Sequence, residues 1–180
     1  TLTSGMVRGI SLQAGGRRGS GAGTIYIKQP KGTIIYSGGG EQEQDRVEAI
    51  LAAHKYPATR MRGAPASRVE FDKAMISIVL NVGGLIHTVR EDGDLIDLRM
   101  GDLCLDPAHA DFVGTITRAV FDVGRTCGAY SPDDSFDAVW AEHRATILRF
   151  PKHVTSSLKN FRDALDAGLN RVALMPNEEW

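Results

Sequence analysis

A chain of 180 residues, 42% hydrophobic and 24% charged, has ordinary globular composition and enough length to bury one sizeable core. Its 21 Lys and Arg offset 22 Asp and Glu to a formal charge of -1, so no broad positive field exists to attract nucleic acid. No run of about 18 apolar residues is present to span a membrane, and a small molecule is the expected partner.

The chain begins Thr1-Leu2-Thr3-Ser4-Gly5, with neither a basic n-region nor an initiating Met, and its first residue is expected to be a cut end. Gly, Ser and Arg dominate Gly15 to Gly23, which reads as a flexible loop. Two β-rich runs follow, Thr24 to Lys28 and Thr33 to Ser37, joined by the turn-forming Gln29-Pro30-Lys31-Gly32. They are expected to pair or to lie at a sheet edge. After Gly38-Gly39-Gly40 an acidic stretch, Glu41 to Asp45, suits a helix N-terminus, with Val47, Ile50 and Leu51 at i, i+3, i+4 and an end near Tyr56-Pro57. Ala58 to Arg62 is expected to form a further short strand.

From Pro65 onward the pattern is helical. A segment from Pro65-Ala66-Ser67 to about His87 is so rich in Met, Ile, Val and Leu that it is expected to run through a core, and Glu91-Asp92-Gly93-Asp94 breaks it. Asp106-Pro107 opens a second helix with Phe112, Ile116, Val120, Val123 and Cys127 at helical spacing, ending by Gly128. Ser131-Pro132-Asp133-Asp134 caps a third, which carries Phe136, Val139, Trp140, His143 and Ile147. A fourth starts near Thr155-Ser156-Ser157 and reaches Ala167-Gly168, the glycine being its C-cap.

Several chemistries are excluded on spacing. Gly19-Ser20-Gly21-Ala22-Gly23 is followed by a strand, whereas a dinucleotide loop needs a strand before it and a helix directly after. Arg17-Arg18 beside it reads as solvated. His54, His87, His109, His143 and His153 form no H-x-x-x-H or H-E-x-x-H pattern, so no metal site is expected, and His143 reads as a packed residue. Cys104 and Cys127 show no C-x-x-C spacing, which predicts reduced thiols in a cytoplasmic protein. No G-x-S-x-G elbow appears.

Phe71 to Gly84 is the informative stretch. Its polar residues Lys73, Ser77 and Asn81 fall at i, i+4, i+8, and on a straight α-helix each step drifts only about 40°, so all three share one side. Such a narrow polar stripe among apolar positions must either be satisfied by neighbouring helices or line a cleft.

This stretch, after a strand-rich region, resembles the central helix of the ketopantoate reductase family, in which an aromatic residue, any residue and then a catalytic Lys open the helix, with Asn four and eight positions later. The resemblance implies that Lys73 is the catalytic lysine and that Asn81 is the later asparagine. Ser77 stands where the first asparagine is expected. His153-Val154-Thr155-Ser156-Ser157-Leu158 is similar to the family's Ser-Ser-Met segment, which makes Ser157 a substrate-binding candidate. The family's acidic residue about a dozen positions on has no counterpart at Leu169; Glu178 is the candidate, by way of a local insertion, with Asp166 and Glu179 also nearby.

The implied fold class is α+β, mainly α: a C-terminal helical bundle like that of 6-phosphogluconate dehydrogenase, preceded by a short β segment from the end of a Rossmann-type domain. Residues 1–40 would be the β-rich remnant of the nucleotide-binding domain, 41–64 a connecting helix and strand, and 65–180 the helical substrate or dimerisation domain. The implied activity is NADPH-dependent reduction of a 2-oxo acid, with NADP held mainly by a domain outside this chain and no cofactor-binding residue assigned within it. Lys73 would neutralise and protonate the carbonyl oxygen as hydride arrives. The alternative is a non-catalytic helical module that binds a partner or a second copy of itself.

Overall fold

The computed structural model describes residues 5–11, 15–18, 25–28, 33–89, 95–96, 98–154, 158, 161–162, 165–166 and 168. Five strands and six α-helices occur among them: β1 (Val7–Ser11), β2 (Gly15–Arg18), β3 (Ile25–Lys28), β4 (Ile34–Gly38), α1 (Glu41–Ala53), β5 (Ala58–Arg60), α2 (Ala66–Ser77), α3 (Gly84–Thr88), α4 (Met100–Leu105), α5 (Pro107–Thr126) and α6 (Phe136–Ile147). A π-helical segment, Ile78–Gly83, joins α2 to α3 without a break. The chain divides into two compact units, Thr1–Lys73 with Gly124–Ser131, and Ala74–Val123 with Pro132–Trp180. No helix among the described residues is long and apolar enough to cross a membrane.

The first unit is built on a three-stranded sheet in the order β1-β4-β5. β1 runs antiparallel to β4, with Val7 opposite Gly38, and β4 runs parallel to β5, with Ile34 opposite Ala58. The parallel pair needs a crossover, which α1 provides. The two β-rich runs are strands, but they do not pair with each other: β3 pairs with β2, Gly15 opposite Lys28, while β4 lies between β1 and β5. Gly15 to Arg18, expected as loop, is therefore strand, because a glycine-rich run forms a ladder once a β-branched partner supplies the propensity. Residues 19–23 lie outside the described residues.

α1 begins and carries its acid where expected but ends at Ala53, before Lys55 takes a positive φ of 53°. Its apolar stripe is not the buried face. Ile50 is 60% exposed, while Gln44 is buried with its amide donating to the Gly38 carbonyl at 2.7 Å. Tyr36 and Ser37 of β4 are fully enclosed; the Ser37 hydroxyl reaches the carbonyls of Met61 (3.1 Å) and Ala64 (2.5 Å), tying β4 to the segment that enters α2. Gly38, at φ 79°, is needed there, because a Cβ would stand 2.6 Å from Ala66 Cβ and 2.7 Å from the Met6 carbonyl.

The second unit buries Met75, Ile76, Val79, Leu103, Val113, Phe121, Phe136, Val139 and Ile147. Phe121 and Phe136 meet edge to face at 5.8 Å, a geometry that adds about 0.5–1.5 kcal/mol to their burial. α5 spans the expected residues with a different inner face. Val113, Thr117 and Phe121 are buried, whereas Val123 is 57% exposed and Cys127 is exposed. α4 is an additional helix, its Gly101 packed under Pro151, where a Cβ would be 3.0 Å from the Pro151 carbonyl. The helix from Phe136 buries Phe136, Val139, His143 and Ile147 of the expected residues and half-buries Trp140, but Ser135 is its cap, accepting from the Ala138 N–H at 3.2 Å. Of the last helix, residues 158, 161–162 and 165–166 are helical, and Gly168 has the positive φ, 71°, of a C-cap.

Candidate functional site

Lys73, Ser77 and Asn81 all lie on the helical run that starts at Ala66, and each is half-buried. The step from Lys73 to Ser77 is α-helical and advances about 40°. The step from Ser77 to Asn81 passes into the π segment, where a turn of roughly 4.4 residues sets the same spacing back by about 33°. The polar positions therefore do not drift steadily around the helix, as straight α geometry requires; the second step reverses the first. On the buried side of the run lie Met75, Ile76 and Val79, each no more than 7% exposed. Gly83, at the end of the π segment, is also buried, and a Cβ there would be in ordinary contact with Ile116 at 3.8 Å and Val113 at 3.9 Å. Ser157 and Glu178 lie outside the described residues.

The polar residues beside Lys73 are ones that motif reading passed over. Asp72, only 7% exposed, receives the Arg68 Nε–H at 3.0 and 3.1 Å on its two oxygens and the Tyr130 hydroxyl at 3.0 Å. Arg68 lies 4.7 Å over the Tyr130 ring, and Phe71 meets that ring edge-on at 6.4 Å. Gly124 makes room for both rings: a Cβ there would be 2.6 Å from Tyr130 Cε2 and 2.8 Å from Phe71 Cδ1. The i, i+4 spacing of Arg68 and Asp72 is visible in sequence. Tyr130, 58 residues from Asp72, is not.

A strand, glycines and then a helix do occur in this chain, at β4, Gly39-Gly40 and α1 rather than at Gly19–Gly23. They border a cleft of about 870 Å³ lined also by Gln44, Arg60, Arg62 and Glu70. The turn does not fit a dinucleotide pyrophosphate. The Glu43 carboxylate folds back to accept the Gly40 N–H at 3.0 Å, placing a negative charge where a phosphate would sit. Two of the three cleft arginines are also engaged, Arg8 with Glu70 at 2.7 Å, and Arg60 with Asp45 at 2.5 Å and with Gln44.

In the second unit the rings of His87 and His109 stand 4.6 Å apart, with Phe112 edge-on to His87 at 4.9 Å. Burial first, and the neighbouring His109 second, hold His87 below the ordinary imidazole range. No group of three His, Cys, Asp or Glu that could hold a metal ion occurs among the described residues.

No protein-family model and no curated protein matches this sequence. Solved structures match its fold. D-mandelate dehydrogenase, in a ternary complex with NADH and anilino(oxo)acetate, aligns over 93% of this chain and 56% of its own, with a TM-score of 0.63 and 15% identity. The probable 2-dehydropantoate 2-reductase of Bacillus subtilis aligns over 93% and 57%, with a TM-score of 0.58 and 16% identity. The PanE/ApbA family ketopantoate reductase of Ralstonia eutropha JMP134 aligns over 92% and 55%, with a TM-score of 0.57 and 15% identity. This chain thus spans a little over half the length of those structures, and it has the fold of that part of ketopantoate reductases and D-mandelate dehydrogenase.

Proposed function

We propose that this chain is the substrate-side part of a nicotinamide-dependent reductase of 2-oxo acids, with Lys73 as the general acid. The observation that carries the proposal is a half-buried lysine one residue beyond a pinned carboxylate, in a chain whose fold matches part of a probable 2-dehydropantoate 2-reductase. When bound, the cofactor, NADP in this reading, supplies hydride; no described residue cradles its pyrophosphate. Lys73 donates a proton to the carbonyl oxygen as negative charge develops there and is then reprotonated from solvent. Ser77, Asn81 and Ser157 hold the substrate's polar groups, and Glu178 accepts from a substrate hydroxyl. The cytoplasm is the compartment that matches these assignments.

The test is Lys73→Met in the protein at its full natural length, assayed with 2-dehydropantoate and with either NADPH or NADH. Turnover should fall at least about 100-fold with folding preserved, the scale of a lost general acid. Wild-type turnover in the variant would make Lys73 a surface lysine and remove the proposal.

A second reading, a module that pairs with another copy of itself, is favoured by one observation. Val82, Ile86 and Val89, at i, i+4, i+7, are 47%, 54% and 40% exposed. Ile86→Asp would then convert a dimer to a monomer in light scattering, and an unchanged mass would remove that reading.

A further inference from the structure

We propose that the hydrogen bond from Tyr130 to Asp72 is a positioning contact that sets the rotation of α2 and so the place of the Lys73 ammonium; the inference rests on the reading of Lys73 given above. Asp72 precedes Lys73 directly, and its carboxylate is held from two directions. Arg68 on the same helix grips both oxygens. Tyr130, 3% exposed, reaches it from the turn that follows α5. The Arg68 contact is internal to α2 and turns with it, so it cannot fix the helix against anything else. The Tyr130 hydroxyl supplies a reference outside the helix, beside the Arg8–Glu70 ion pair to β1 and the stacking of Arg68 on the Tyr130 ring. Its ring sits in the space left at Gly124 of α5 and meets Phe71 of α2 edge-on.

The lever is long. A lysine ammonium extends roughly 8 Å from a helix axis whose Cα atoms lie at about 2.3 Å, so a rotation of about 10° moves it by roughly 1.4 Å. A displacement of about 1 Å at a reacting group is enough to lower a rate about 100-fold.

The test compares Lys73→Met, Tyr130→Phe and the double variant, each at full natural length, with 2-dehydropantoate and NADPH or NADH, at a temperature where circular dichroism shows all of them folded. Tyr130→Phe keeps the ring and removes one oxygen. We expect kcat to fall about 10- to 100-fold with KM within about twofold, and the double variant to be no slower than Lys73→Met alone, since a contact acting through Lys73 has nothing left to act on. Gly124→Ala, which displaces the same ring without removing the hydroxyl, should show the same split between kcat and KM. Wild-type kcat in Tyr130→Phe, or losses that multiply in the double variant, would overturn the positioning role while leaving Lys73 as the acid. Wild-type turnover in Lys73→Met would overturn both.

Discussion

Lys73, Ser77 and Asn81 could be picked out of the sequence because a polar residue every fourth position stands out against Met, Ile, Val and Leu. What surrounds them could not, because the Tyr130 to Asp72 contact joins residues 58 apart and leaves no local pattern. Three titrating groups make two separate predictions at this scale. Burial pushes the Cys104 thiol up to about 11, against a small lowering from Arg144, whose guanidinium donates to the Cys104 carbonyl at 3.0 and 3.2 Å. At neutral pH Cys104 should therefore remain an unreactive thiol, and a native protein treated with a thiol reagent should label Cys127 alone, the second equivalent appearing only on denaturation. Rapid labelling of both in the native state would contradict that burial. His87 and His153 are both held below the ordinary imidazole value, chiefly by burial. As pH falls through about 6.5 the unfolded chain takes up protons that the folded chain does not. Stability is thus complete above that value and declines below it. The melting temperature should drop between pH 7.5 and 5, less steeply in His87→Phe; an unchanged slope in that variant would clear His87 of the effect.

At the scale of elements, helices were legible because their apolar periodicity is strong, and strand pairing was not. The β3 and β4 runs are adjacent in sequence with a turn between them, which favours a hairpin; β4 instead takes a place inside a sheet between β1 and β5, where both its edges are satisfied. The π segment was equally invisible, since an i, i+4, i+8 series is written the same way in a helix that widens partway. Ser135, not the Ser131 to Asp134 cluster, caps α6, and its hydroxyl satisfies one N–H that the helix itself leaves open. Ser135→Ala should lower stability by about 1 kcal/mol in denaturant unfolding. Unchanged stability in that variant would mean that Ser135 does not cap the helix.

At the scale of the whole chain, the question is whether these residues bind a dinucleotide by themselves. Glycines between a strand and a helix are the sequence sign of such a site, and among the described residues β4, Gly39-Gly40 and α1 form such a unit, whose strands β4 and β5 run parallel as a nucleotide-binding unit requires. Charge decides against it. Glu41 and Glu43 occupy the first turn, and the Glu43 carboxylate already takes the Gly40 N–H that a phosphate oxygen would need. A pyrophosphate arriving there would meet two carboxylates in place of free donors, and Arg60, the most enclosed of the cleft cations at 7% side-chain exposure, is already shared between Asp45 and Glu48. The 180-residue chain titrated alone with NADPH in a calorimeter should therefore show no binding tighter than about 100 μM, a loss of roughly 3 kcal/mol or more against the low-micromolar range or tighter that is common for cofactor sites. Micromolar binding by this chain would place the nucleotide site within it. Micromolar binding retained in Gly39→Val and lost in a variant elsewhere would, in addition, put that site away from the β4–α1 turn.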